Sequence, residues 1–137
     1  MADVHDIKTR SYNMSRIKSR DTKPEILIRK FLFSKGYRYR LYNNKLPGRP
    51  DIVLTKFKTV IFINGCFWHG HENCKYSVIP KTRTEWWSKK IKNTKIKDID
   101  NIQKLNNLGW KVITIFECEL KKNKREQTQN EIINKIH

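Results

Sequence analysis

Nowhere does the chain carry the roughly 18 to 20 consecutive apolar residues that a membrane-spanning helix needs. Residues 1 to 10 also lack the apolar core of a secretory signal. The expectation is an intracellular, cytoplasmic protein with no membrane partner. Cysteine is scarce: Cys66, Cys74 and Cys118 are all there is, and three thiols cannot form a closed disulfide set. In a reducing compartment an odd thiol group near histidines suggests a metal instead. Acidic residues are few, 13 Asp plus Glu against 30 Lys plus Arg in 137 residues, leaving a formal charge of +17. That imbalance points to a polyanion as partner. With no internal repeat and no low-complexity linker, the length suits one compact domain and is too short for two ordinary ones.

The basic residues run along the whole chain and are interleaved with four Trp, five Tyr and six Phe. A disordered basic tail would be poor in aromatics. This favours a folded nucleic-acid binder over a protein whose charges only solvate it.

Residues 1 to 20 are polar and basic, with Met14 and Ile17 the only strong apolar residues near their end. They read as an arm ahead of a domain over 21 to 137, one that could reach around a duplex. A helix starts at Asp21 or Thr22, with Pro24 in its first turn, Glu25 suited to the dipole, and Ile26, Leu27, Phe31 and Leu32 at helical spacing until Gly36. Residues 37 to 46 read as a first strand and turn. Pro47, Gly48 and Pro50 then break the chain just before Asp51-Ile-Val-Leu, so Asp51 opens a short buried strand. The apolar run Thr59-Val-Ile-Phe-Ile suits a central strand covered on both faces. A loop over 65 to 82 follows, and Thr84 is expected to cap a long basic helix reaching roughly Asn107, stopped by Gly109. Lys111-Val-Ile-Thr-Ile-Phe is a further buried strand, and the last twenty residues read as a polar terminal helix. The order predicts an α/β sandwich around a mixed sheet.

Cys66, His71 and Cys74 have the spacing C-x4-H-x2-C, and Cys118 stands at the end of another predicted strand. Thiolates with an imidazole are the ligand set of tetrahedral zinc, and a closed set of four marks a structural site. The alternative is three cysteines that are merely small buried apolar residues. A second ligand set is also open, in which His69 takes the place of His71. As a zinc site, the knot would clamp a loop with little apolar material of its own onto the strand ending at Phe116.

A nuclease must hold a divalent cation against a phosphate and activate water, and a hard cation wants carboxylate and carbonyl oxygen. Asp51 follows a rigid turn that keeps Arg49 nearby for phosphate, although an Asp beside a Pro also serves as a plain turn residue. The next strand ends at Ile63, Asn64 and Gly65 and leads to His69, whose imidazole suits proton transfer to or from the reacting groups. Glu25 is a candidate supporting carboxylate that orients metal-bound water, or else simply a helix-dipole residue. Phe67 and Trp68 sit in a polar loop, and Trp86 and Trp87 open the basic helix. Exposed aromatics beside cations suit wedging between base steps. Two adjacent Trp on one helix cannot both face the core, and Trp86 is assigned there.

Four motifs carry a resemblance: Pro47-Gly-Arg-Pro-Asp51, Val60-Ile-Phe-Ile-Asn-Gly-Cys-Phe-Trp-His69, Thr82-Arg-Thr-Glu-Trp-Trp87 and Leu108-Gly-Trp-Lys-Val112. In these the chain resembles the very short patch repair (Vsr) endonucleases, and the likeness runs from the opening Met-Ala-Asp-Val-His-Asp to about Cys118. The resemblance implies a restriction-endonuclease-like fold and Mg²⁺-dependent nicking of double-stranded DNA on the 5′ side of the thymine in a T:G mismatch. It implies Asp51 as the Mg²⁺-binding carboxylate, aided by the Ile63 carbonyl, with His69 as general acid/base and Glu25 in support. It makes Cys66, His71, Cys74 and Cys118 the ligands of a structural Zn²⁺. It further implies that Phe67, Trp68 and Trp87 wedge into the DNA from one groove and Met14 from the other. Association with the bacterial nucleoid, a monomeric state and mismatch-repair proteins as candidate partners complete the expectation. The chain departs from the family's Thr-His with Ile63-Asn64, carries one more residue before Cys74, and has Lys90-Ile-Lys-Asn-Thr94 against the pattern Lys-Ile-x-x-Asn. Two rivals stand beside this reading: a restriction-type nuclease that cuts an intact sequence, and a non-catalytic zinc module that binds DNA.

Overall fold

Helix α1 covers Lys23–Ser34, with Pro24 near its start, where an absent N–H breaks no helical bond. The computed structural model describes residues 22–72 and 74–137, so the expected arm and Met14 lie outside the described residues. Beyond α1, Gly36 adopts φ +88 and the Tyr37 amide turns back to the Leu32 carbonyl. That left-handed turn is open to glycine at little cost. The buried stripe of α1 is Glu25, Ile28 and Leu32, with Leu27 and Phe31 at its flanks, whereas Ile26 faces solvent. The sequence expectation thus found the helix but not the residue at its centre, Ile28.

Of the strand expected within 37–46, only β1, Arg40–Leu41, pairs with the sheet. It is followed by β2 (Ile52–Leu54), β3 (Thr59–Asn64) and β4 (Lys111–Phe116). The strands lie in the order β1-β2-β3-β4, antiparallel except for the parallel pair β3 and β4. A parallel pair needs a crossover, supplied by α2, Thr84–Asn107. Thr84 is not its cap, contrary to expectation. Arg83 holds that position at φ 56, while the Thr84 hydroxyl donates to the carbonyls of Pro80 and Lys81, 2.9 and 2.8 Å away. The hydroxyl is spent on the turn before the helix rather than on the helix's own amides.

Side chains alternate along a strand, and the two sheet faces are covered by different helices. Ile52, Leu54, Ile61, Ile113 and Ile115 pack with Ile28 and Leu32 of α1 and with Ile132 and Ile136 of α3, Arg125–Ile136. Val53 and Val60 point to the other face and meet Leu105 of α2. The terminal helix is therefore a core element and not merely polar: Thr128, Ile132 and Ile136, four residues apart, form its buried stripe. The Lys111 ammonium donates to the carbonyls of Lys135 and Ile136 at 2.8 and 3.2 Å, placing a cation at the negative end of α3.

Since β3 and β4 run parallel, they finish together, with Asn64 opposite Phe116. The loop after β3 and the 3-10 turn Glu117–Leu120 after β4 consequently meet at one sheet edge. Among the described residues no helix is long and apolar enough to cross a membrane.

Candidate active site and metal centre

Asp51 stands immediately before β2, where the turn over 47–50 delivers it to the sheet edge. Gly48 in that turn has φ +77 and lies so close to Phe62 and Asn101 that an added Cβ would come within 3.1 Å of both. Arg49 is left-handed as well, at φ 48, an uncommon conformation for a residue with a side chain. Pro50 is fully buried. The turn is thus wedged between β3 and α2, and Asp51 cannot drift from the edge. Its Oδ2 accepts the Ile63 amide of β3 at 2.7 Å. Burial pushes the Asp51 carboxyl up from 3.8 to about 6, a rise that the Ile63 amide opposes, neighbouring Glu25 reinforces, and His69 and Arg29 moderate.

A cavity of about 700 Å³ opens in front of Asp51 and is lined also by Glu25, Arg49, Ile63, Trp68 and His69. Glu25 is buried in α1, where a dipole residue would be solvated; its carboxylate accepts from Arg29, 3.0 Å away, and from the Tyr42 hydroxyl. His69 comes from the loop after β3, and its Nδ1 lies 2.6 Å from Oδ2 of Asp98 on α2. That carboxylate fixes the ring's orientation and leaves Nε2 as the nitrogen available for proton exchange. Asp98 and Glu117 also line the cavity.

Outside the lining of this cavity Cys66, His71, Cys74 and Cys118 converge, their ligand atoms all within 4.8 Å of one another. Tetrahedral Zn–S bonds of about 2.3 Å put ligands about 3.8 Å apart, so the four donors need little movement to close on one ion. His71 belongs to this group and His69 does not. The His71 ring stacks on Phe116 with centroids 3.9 Å apart and a tilt of 7°, with Nδ1 at 3.3 Å from the Cys118 sulfur. Burial pushes the Cys66 thiol up to about 12, against the Cys118 amide, and raises Cys118 as well. For Cys74 burial acts in the same sense, but the Tyr76 amide, the other two thiols and Lys124 outweigh it and lower the thiol. Three thiols crowded together resist shedding a second and third proton. A dication relieves that resistance, and the S₃N donor set fits zinc.

Phe67, Trp68 and Trp87 touch pairwise, with centroids 5.2, 5.3 and 5.7 Å apart, and join the loop to the start of α2. Trp86 does not face the core as expected; it is 44% exposed, while Trp87 is the half-buried member of the pair. The inward face of α2 runs through Trp87, Ile91, Asp98 and Leu105. A residue one position before Trp87 is rotated about 100° off that stripe.

The sequence model of the DNA mismatch endonuclease Vsr family matches residues 2–75. The chain is 50% identical over 121 residues to the type II nicking enzyme V.NmeAIP of Neisseria meningitidis, covering 88% of this chain and 86% of that one. It is 45% identical over 121 residues to the DNA mismatch endonuclease Vsr of Escherichia coli, covering 88% and 77%. The type II nicking enzyme V.XorIIP of Xanthomonas oryzae shares 41% over 120 residues, 88% of both chains. The chain belongs to the Vsr family. As a family member it is a DNA endonuclease, a hydrolase of phosphodiester bonds.

For this Vsr-family chain the sequence reading missed Asp98, Arg29 and Tyr42 at the site. Asp98 lay in view as an acid on the inward stripe of a basic helix. Arg29 lay four residues from Glu25, an ion-pair spacing. Tyr42 had no signal, because only the left-handed backbone at φ 49 and the packing of the turn bring it to Glu25.

Proposed function

We infer that this chain nicks one strand of duplex DNA on the 5′ side of the thymine in a T:G mismatch, by Mg²⁺-dependent hydrolysis. The observation that carries the reading is one cavity lined by Asp51, Glu25, Arg49 and an Asp98-held His69, beside an aromatic cluster. The domain over 21–137 is read as restriction-endonuclease-like, with 1–20 as a basic arm and Met14 as the wedge from the opposite groove. Asp51 and the Ile63 carbonyl are the oxygens that would hold Mg²⁺, which when bound neutralises charge on the scissile phosphate. Arg49 neutralises further phosphate charge. Glu25 orients the attacking water, its own position set by Arg29 and Tyr42. His69, held through Nδ1 by Asp98, moves a proton at Nε2. Phe67, Trp68 and Trp87 wedge the strands apart at the mismatch and so favour a step that is already weakly stacked. The Cys66, His71, Cys74 and Cys118 group, as a structural zinc site, holds the loop that carries His69, Phe67 and Trp68.

The test is nicking of an end-labelled T:G duplex and its C:G parent by wild type and Asp51→Ala, with Mg²⁺ and with chelator. Expected is metal-dependent cleavage 5′ to the mismatched T that the substitution abolishes. Equal cleavage of both duplexes would turn the reading to a restriction-type nuclease. Tight binding without nicking under any divalent metal would turn it to a non-catalytic DNA-binding module.

A further inference from the structure

The aromatic cluster has one ring more than its internal packing uses. Phe67, Trp68 and Trp87 close a triangle of contacts, and Trp68 reaches the cavity wall. Trp86 extends this set outward, its ring standing edge-on to Trp87 at 4.7 Å and 85°. A 44% exposed indole adds little to the core. Its surroundings are cationic: the Arg83 guanidinium lies 4.6 Å and the Lys90 ammonium 5.2 Å from the ring centroid. Arg83 is about one turn before Trp86 and Lys90 about one turn after it. Among the described residues neither cation forms an ion pair with an acid. An exposed aromatic surface between two such cations matches a nucleotide strand, where a flat base alternates with phosphates.

We propose that Trp86 is a fourth DNA-stacking residue, lying against a nucleobase at the rim of the opened step, with Arg83 and Lys90 on the flanking phosphates. This rests on the wedge reading of Phe67, Trp68 and Trp87 but adds a separate contact, outside the triangle and away from the cavity. Arg83 and Lys90 exchange ring contact for phosphate contact when the base arrives, so the site is held ready by the same cations that recognise the backbone.

The experiment measures equilibrium binding of the full chain to a T:G duplex without divalent metal, alongside 2-aminopurine fluorescence at successive positions flanking the mismatch. Trp86→Ala should weaken binding about fivefold or more, the lower end for losing one stacked base, and Trp86→Phe should recover most of the loss. Arg83→Ala and Lys90→Ala should each lower the slope of log K against log salt by about one, while Trp86→Ala leaves that slope unchanged. One 2-aminopurine position should brighten with Trp86→Ala and not with Trp87→Ala. The proposal is overturned if Trp86→Ala binds like wild type and no probe position responds. It is also overturned if affinity falls only in step with thermal stability and Trp86→Phe rescues neither. Failure of the wedge reading looks different: Trp87→Ala would then leave every probe position unchanged, whatever Trp86→Ala does.

Discussion

Burial holds the Asp51 carboxyl at about 6 and so makes the metal-free protein sensitive to pH near its working range. The folded value lies above the ordinary 3.8, so between 3.8 and about 6 the folded state holds a proton that the unfolded chain has released. Asp51 therefore disfavours folding increasingly as pH rises through that window. Melting curves of the chain with zinc but no Mg²⁺ should show a decline in stability across the window that Asp51→Asn lacks. Nicking should run the opposite way, because a hard cation needs the carboxylate: single-turnover rates at limiting Mg²⁺ should climb with pH below about 6 and then level, and saturating Mg²⁺ should move the rise to lower pH. In the proposed mechanism Asp98 acts one step removed, through its contact with His69. Asp98→Asn should lower the single-turnover rate about 10- to 100-fold with little change in DNA affinity. His69→Ala should cost about 10²- to 10⁴-fold. Equal rates for Asp98→Asn and wild type would remove Asp98 from the proton path. The positions of Asp51 and His69 beside strand ends were legible in the sequence. Their pairings with the Ile63 amide and Asp98 were not, since those partners are 12 and 29 residues away in sequence.

At the level of elements, the loop after β3 depends on how closely it approaches α2. Gly70 has φ +58, and a Cβ there would come within 2.6 Å of Ile91 Cγ2 and Lys95 Cε. Lys95 can swing away, but the Ile91 methyl sits on the buried face of the helix. Gly70→Ala should therefore cost more than about 1 kcal/mol and push the loop off α2, parting His69 from Asp98. Urea denaturation would read the first effect. The second would appear as a loss of rate larger than any loss of DNA affinity. Helix α2, β3 and β4 were evident in the sequence because long periodic or apolar runs outweigh local ambiguity. Short β1 was overdrawn: Arg40 and Leu41 are both exposed, so no burial pattern marks where pairing begins and ends. The terminal helix was read as polar because only one residue per turn faces the core.

Across the whole molecule, two sheet faces carry separate cores, and the edge where β3 and β4 end carries the site. The cysteine and histidine group brings the two strand-end segments together over about fifty residues of sequence, from Cys66 to Cys118. A strong zinc chelator should lower the melting temperature and abolish nicking even when Mg²⁺ is restored, and added Zn²⁺ should recover both. Full activity after verified zinc removal would show that packing alone holds the loop. The charge of +17 acts at this scale too, drawing DNA to the protein irrespective of sequence.

By itself the sequence determined what local patterning and donor chemistry can carry. Short continuous apolar runs marked the strands, the S₃N set marked a group able to hold a metal, the excess of Lys and Arg marked a polyanion, and four motifs marked the family. Tertiary structure alone decided which distant groups share a volume: Glu25 with Arg29 and Tyr42, His69 with Asp98, His71 rather than His69 with the three thiols. It also turned Trp86 outward, because a helix that directs Trp87, Ile91 and Leu105 inward must rotate the residue before Trp87 towards solvent. The physical reason is that patterning is read within a turn or a strand, whereas these pairings depend on how the sheet stacks its helices and where two parallel strands end together.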